Sequence, residues 1–178
     1  MRSETPHKSA VGPRRRDGHR PLLLIDVDGV ISLYGFDRAA PPAGRYVLVD
    51  GILHYLSGTA GGHLRSLAAE FELVWCTGWE ERANDVLPRE LGLPTPLPYL
   101  SFDGAVKLPP AHWKLAAIDA YAGPARPLAW IDDAHDERCG AWAAARAGPT
   151  RLVTAQPHVG ITADHVANLL GWTQRPGS

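Results

Sequence analysis

No apolar run in this chain approaches the roughly 20 residues needed to cross a bilayer, so no membrane-spanning helix is expected in its 178 residues. The segment before residue 21 carries Arg14, Arg15 and Arg16 in succession and lacks the apolar centre of a secretory signal. Net charge is also lacking, at −1, which removes any general electrostatic pull toward nucleic acid or membrane. An anionic ligand must therefore be bound by a local site. Cysteine is scarce: Cys76 ends an apolar run and Cys139 falls in an alanine-rich helical stretch, which suits a reduced cytoplasmic protein better than a disulfide scaffold. Internal repeats are missing, and none of the histidines pair at the H-x-x-x-H spacing of a zinc-binding helix.

What is present is a balance of 45% apolar and 21% charged residues, enough to build one core at this length and too little chain for two ordinary domains. A single domain is expected over 21–173, with 1–20 a disordered basic tail and 174–178 a frayed end. Short apolar runs at 21–27, 71–76, 127–131 and 151–154, with a weaker one at 99–102, read as strands. Helical patterns lie between them: one carries Leu64, Leu67 and Ala68 and ends near Glu70, others cover 113–122 and 136–147, and a last one at 162–172 is N-capped by Thr162. Alternating strand and helix predicts an α/β fold, a Rossmann-like three-layer sandwich with a mainly parallel central sheet. One segment breaks the alternation, since 46–49 and 52–55 flank Asp50-Gly51, the dipeptide of a type I′ hairpin. It is expected as a small β-flap over about 44–56, after the first strand and over or beside the site. The four prolines at 88, 94, 96 and 98 predict an extended surface connection with no helix through 88–98.

The chemistry gathers at the strand ends. Leu22, Leu23, Leu24 and Ile25 run directly into Asp26-Val27-Asp28-Gly29, and ligands of parallel sheets bind outside the carboxyl ends of the strands. Gly29 permits the chain to turn directly at these acids, so that both can face one ligand. That arrangement can hold a hard cation beside a nucleophile. A second apolar strand ends in Thr77-Gly78, which brings a hydroxyl and a backbone N–H, both anion ligands, to the same edge. A third ends in Asp132-Asp133, and Lys114 opens the helix before it. Trp79 and Trp113 adjoin these residues and are expected to pack in or against the core, as tryptophans usually do.

In this order the motifs resemble those of the haloacid dehalogenase-like superfamily of phosphohydrolases: Asp26-Val27-Asp28-Gly29-Val30 is similar to the first, Thr77 to the second, Lys114 to the third and Asp132-Asp133 to the fourth. Lys107 is the alternative for the third. The resemblance spans roughly 22–153 and leaves no room for a large helical cap, so it implies a capless or minimally capped phosphatase. It implies Asp26 as the nucleophile that forms an aspartyl-phosphate and Asp28 as the general acid and base. Mg²⁺ would be bound by Asp26, the Asp28 backbone carbonyl, Asp132 and Asp133. Thr77, Gly78 and Lys114 would bind and neutralise the phosphoryl group.

The substrate implied is a phosphorylated small molecule or a nucleic-acid end, with no membrane and no obligate protein partner. Three other readings share these residues: a phosphotransferase or mutase, a nucleic-acid end-processing phosphatase aided by the basic tail, and a binding protein without turnover. Phosphate release into water separates the first from a hydrolase.

Overall fold

The computed structural model describes residues 20–102 and 110–174. The expected tails, apart from residues 20 and 174, and Lys107 lie outside these residues. The first apolar run forms β1 (Leu22–Ile25), whose four residues are completely buried. A two-residue β2 (Ser32–Leu33) follows, and then the hairpin of β3 (Gly44–Val49) and β4 (Ile52–Ser57). Helix α1 (Ala60–Leu67) leads to β5 (Glu72–Trp75), and a 3-10 turn over Glu80–Arg82 runs straight into α2 (Ala83–Leu91). A second 3-10 turn, Ala111–Lys114, opens α3 (Leu115–Ala122), followed by β6 (Leu128–Asp132), α4 (Glu137–Ala145), β7 (Thr150–Thr154) and α5 (Ala163–Thr173).

The central sheet has the order β5-β1-β6-β7 and is parallel throughout, with Leu22 beside both Glu72 and Leu128. Its pleat divides the core. Leu23 and Ile25 of β1 face Leu64 and Leu67 of α1, Leu87 of α2 and Leu169 of α5, whereas Leu22 and Leu24 face Ile118 of α3 and Cys139 of α4. Helices thus cover both faces, which is why β1 is apolar without alternation and why the three-layer α/β expectation is met. Leu24 contributes to the second face with no exposed surface. Leu24→Ala is therefore expected to cost about 2–5 kcal/mol, read as a lower urea midpoint at unchanged slope.

The 99–102 run forms no strand. A single bridge, Tyr99 beside Trp75, with Leu100 N–H donating to the Trp75 carbonyl at 2.9 Å, is all that it adds to the β5 edge. The proline expectation needs a larger correction, because α2 passes through Pro88 and ends only at Leu91. A single proline removes one hydrogen bond rather than a whole helix. Here burial of its ring and the left-handed C-cap at Gly92 offset that loss, and the Leu93 N–H donates back to the Pro88 carbonyl at 2.8 Å. Only the stretch carrying Pro94, Pro96 and Pro98 is free of helix.

Thr162 caps α5 as expected, accepting from the His165 N–H, while the His165 ring accepts from the Thr162 N–H to complete a capping box. The hairpin turns at Asp50 (φ 50°) and Gly51 (φ 79°), two successive positive φ angles as a type I′ turn requires. It belongs to a second, antiparallel sheet of order β2-β4-β3, and β2 is too short to carry a period that could be read from sequence.

Candidate active site

The parallel ladder ends where the acids begin. The Asp26 N–H donates to the Ile131 carbonyl at 3.0 Å, so Asp26 continues β1 against β6, whose own last residue is Asp132. The next residues fold into a tight turn in which the Val27 carbonyl accepts from Ile31 and Ser32 at 2.8 and 2.9 Å. Gly29 makes this turn possible in two ways. Its φ is +74°, and a Cβ at that position would lie 2.3 Å from Asp133 Oδ2, so the absent side chain lets the first and fourth acidic segments approach.

Lys114 joins them. It is buried at the end of its 3-10 turn, with Nζ 2.6 Å from Asp132 Oδ2 and 3.0 Å from Asp26 Oδ1. Asp132 Oδ1 accepts from the Ala134 N–H at 3.0 Å. A third carboxylate, Asp133, is half-buried and accepts from the Tyr34 hydroxyl at 2.5 Å. One oxygen each from Asp26, Asp132 and Asp133 fall within 4.8 Å of one another. Among the described residues the three carboxylates have one ammonium between them, so the cluster carries surplus negative charge in a place where charge is expensive. All-oxygen donors at this spacing suit a hard divalent cation, and the surplus charge fits it.

The electrostatics follow from that crowding. Burial, opposed by Lys114 but reinforced by Asp132, pushes the Asp26 carboxyl up to about 7. Burial would lower the Lys114 ammonium, yet the two carboxylates outweigh it and raise it above its ordinary value. Burial also raises Asp133, and Tyr34, partly buried and bonded to that carboxylate, is raised as well. Because Asp26 binds its proton more tightly when folded than its ordinary value of 3.8 allows, the metal-free protein is expected to lose stability as pH rises from about 4 to about 7. Thermal melts across that range check the sign. Added Mg²⁺ should flatten the decline, since a bound cation favours the ionised carboxylate.

A cavity of about 150 Å³ opens over the cluster, lined by Asp26, Asp28, Tyr34, Gly78, Lys114 and Asp133 among others. Asp28 stands apart from the other acids, with its side chain 53% exposed and Oδ2 accepting from Trp79 Nε1 at 2.9 Å. A second cavity of about 260 Å³ shares Asp28 and Gly78 with the first and is walled on the hairpin side by Val49, Ile52 and His54, and opposite by Trp79 and Arg82. The flap therefore lies beside the acids. Thr77 is buried behind this surface, its hydroxyl accepting from the Trp79 N–H at 3.4 Å, so Gly78 rather than Thr77 lines both cavities.

Trp79 packs against the core, as expected, and reaches Asp28 as well. Trp113 meets Phe102 edge-on at 4.7 Å and also lines the smaller cavity. Tyr34 and the contact of His54 with this region went unread in the sequence. Tyr34 is eight residues past Asp26 in a segment with no periodicity, and its partner is 99 residues away. No local signal could have singled it out.

Fold and cluster together define an α/β protein with a carboxylate–lysine centre at the carboxyl ends of its two middle strands. No protein-family model and no curated protein matches the chain. Among solved structures, a hypothetical protein from Xanthomonas campestris is similar at 16% identity and a TM-score of 0.46, over 87% of this chain and 83% of that one. A likeness at that level bears on neither substrate nor chemistry.

Proposed function

We propose that this protein is a Mg²⁺-dependent phosphohydrolase of the haloacid dehalogenase-like type, acting on a phosphomonoester through an aspartyl-phosphate. The observation that carries the reading is the convergence of Asp26, Lys114, Asp132 and Asp133, from three separate segments, on one cavity. Two strand-end carboxylates sharing one buried lysine is a costly arrangement, and such perturbed clusters concentrate where chemistry is done.

In this reading Asp26 attacks phosphorus in line and the bond to the leaving oxygen breaks. Asp28, at the rim shared by both cavities, gives that oxygen its proton and later takes one from the water that cleaves the aspartyl-phosphate. Lys114 offsets charge on the nucleophile and on the phosphoryl oxygens, which the 77–78 turn also receives through the Gly78 N–H. The metal would be held by Asp26, Asp132, Asp133 and the Asp28 carbonyl, and its charge would let Asp26 stay ionised against a phosphate dianion. The leaving group would occupy the 260 Å³ space beside the hairpin.

The deciding experiment measures phosphate released from sugar phosphates, nucleotides and 3′- or 5′-phosphorylated oligonucleotides, with Mg²⁺ and with EDTA. Release that requires metal supports the hydrolase. Consumption of substrate with phosphate passed to an added alcohol or sugar in place of water would reassign it as a transferase.

A further inference from the structure

Asp28 is the one proposed reacting group that the cluster itself does not immobilise. Its carboxylate is outside the group formed by Asp26, Asp132 and Asp133, and its side chain is 53% exposed. An exposed aspartate with nothing to fix it samples several staggered rotamers, and proton transfer to a leaving oxygen demands one of them. Trp79 supplies the constraint. Its indole N–H donates to Asp28 Oδ2 at 2.9 Å, from a turn 51 residues further along the chain.

The indole is itself braced. The His54 ring meets it edge-on with centroids 4.5 Å apart, and His54 Nδ1 is 3.0 Å from Ser32 Oγ. Ser32 is paired to β4 beside Leu56 and its carbonyl accepts from the Gly29 N–H at 2.8 Å, which returns the chain of contacts to the acid-bearing turn. His54 Nδ1 also stands 3.8 Å from Asp28 Oδ1, beyond hydrogen-bond reach. One carboxyl oxygen is thus engaged by the indole and the other is left for proton exchange.

We propose that Trp79, braced by His54 of the hairpin, is a positioning residue that fixes Asp28 for protonation of the leaving oxygen. The proposal rests on the phosphohydrolase reading. In the first step Asp28 is the acid: it passes its proton to the leaving oxygen as the Asp26 oxygen–phosphorus bond forms and the bond from phosphorus to the leaving oxygen breaks. In the second it is the carboxylate: it takes a proton from water as the water oxygen bonds to phosphorus and the Asp26 oxygen–phosphorus bond breaks, which restores the starting state. The indole N–H can donate to Oδ2 in both states.

The test exploits the leaving group. An alkoxide needs the proton, whereas p-nitrophenolate leaves readily without it. In Trp79→Phe, which keeps the ring and removes the donor, kcat on glycerol 3-phosphate should fall about 10- to 100-fold, part of the 10²–10⁴-fold that general acid catalysis supplies. The fall on p-nitrophenyl phosphate should be at least fivefold smaller, and KM for either should change little. His54→Ala, which unbraces the indole and leaves its N–H in place, should show the same bias at smaller size. A structural defect would lower both substrates alike. Independently of turnover, the Trp79 indole proton resonance, identified by its loss in Trp79→Phe, should shift in Asp28→Asn. Equal losses on both substrates, an effect confined to KM, or an indole resonance indifferent to Asp28→Asn would overturn the proposal while leaving the hydrolase intact. Wild-type protein that, with Mg²⁺, releases phosphate from neither of these substrates nor any sugar phosphate, nucleotide or phosphorylated oligonucleotide of the panel would remove the hydrolase reading and this role with it.

Discussion

Asp26→Asn is expected to abolish metal-dependent phosphate release, lowering kcat by about 10⁴-fold or more, in a protein that stays folded. Asparagine keeps the shape and one acceptor oxygen but cannot form the acyl-phosphate, and loss of a nucleophile is among the largest single effects on kcat. The stability side of the prediction comes from burial. A carboxyl pushed up to about 7 is one whose charge the fold disfavours, so removing that charge takes away a penalty. Lys114 keeps Asp132 at 2.6 Å and is not left unpaired. The melting temperature of the metal-free variant at pH 8 should therefore equal or exceed that of wild type. Retained phosphate release in a folded Asp26→Asn protein would move the nucleophile elsewhere.

The parts of this site that were legible in the sequence are those encoded by local pattern. An unbroken apolar run predicts a strand buried on both faces, and its abrupt end in Asp26 and Asp28 predicts where the acids emerge. The same logic places Asp132 at the end of β6. Asp50-Gly51 encodes its turn through positive φ, and Thr162 its cap through one hydroxyl. The rest depends on approach between distant segments. Gly29 was readable as a turn residue, but its closeness to Asp133 exists only once β1 and β6 are paired. Trp79 could be named as a neighbour of the site, yet the direction of its N–H is set by α2 and the hairpin together. Pro88 misled because the weight of four prolines was spread over a segment in which the first is buried in a helix and only the others lie outside one.

Lys114→Met should have the opposite signature to Asp26→Asn, with stability and activity lost together. The lysine is 3% exposed and is the cation for two buried carboxylates. Removing one member of a buried ion pair leaves an uncompensated charge and typically costs about 3–5 kcal/mol, against at most about 1 kcal/mol for an exposed lysine. Methionine preserves most of the volume, so the loss reports charge rather than a cavity. The stranded carboxylates can recover some stability by taking up protons or by binding a cation more tightly. The denaturant midpoint of the metal-free variant should accordingly fall further below wild type at pH 8 than at pH 5, and Mg²⁺ should raise it by more than it raises wild type. Activity should drop by about 10²–10³-fold even with saturating metal, the scale seen when one preorganised charge-stabilising donor is deleted. Full activity in Lys114→Met, together with its loss in Lys107→Met, would transfer the role to Lys107 and leave Lys114 as the counter-charge that makes two adjacent buried strand ends tolerable in the fold.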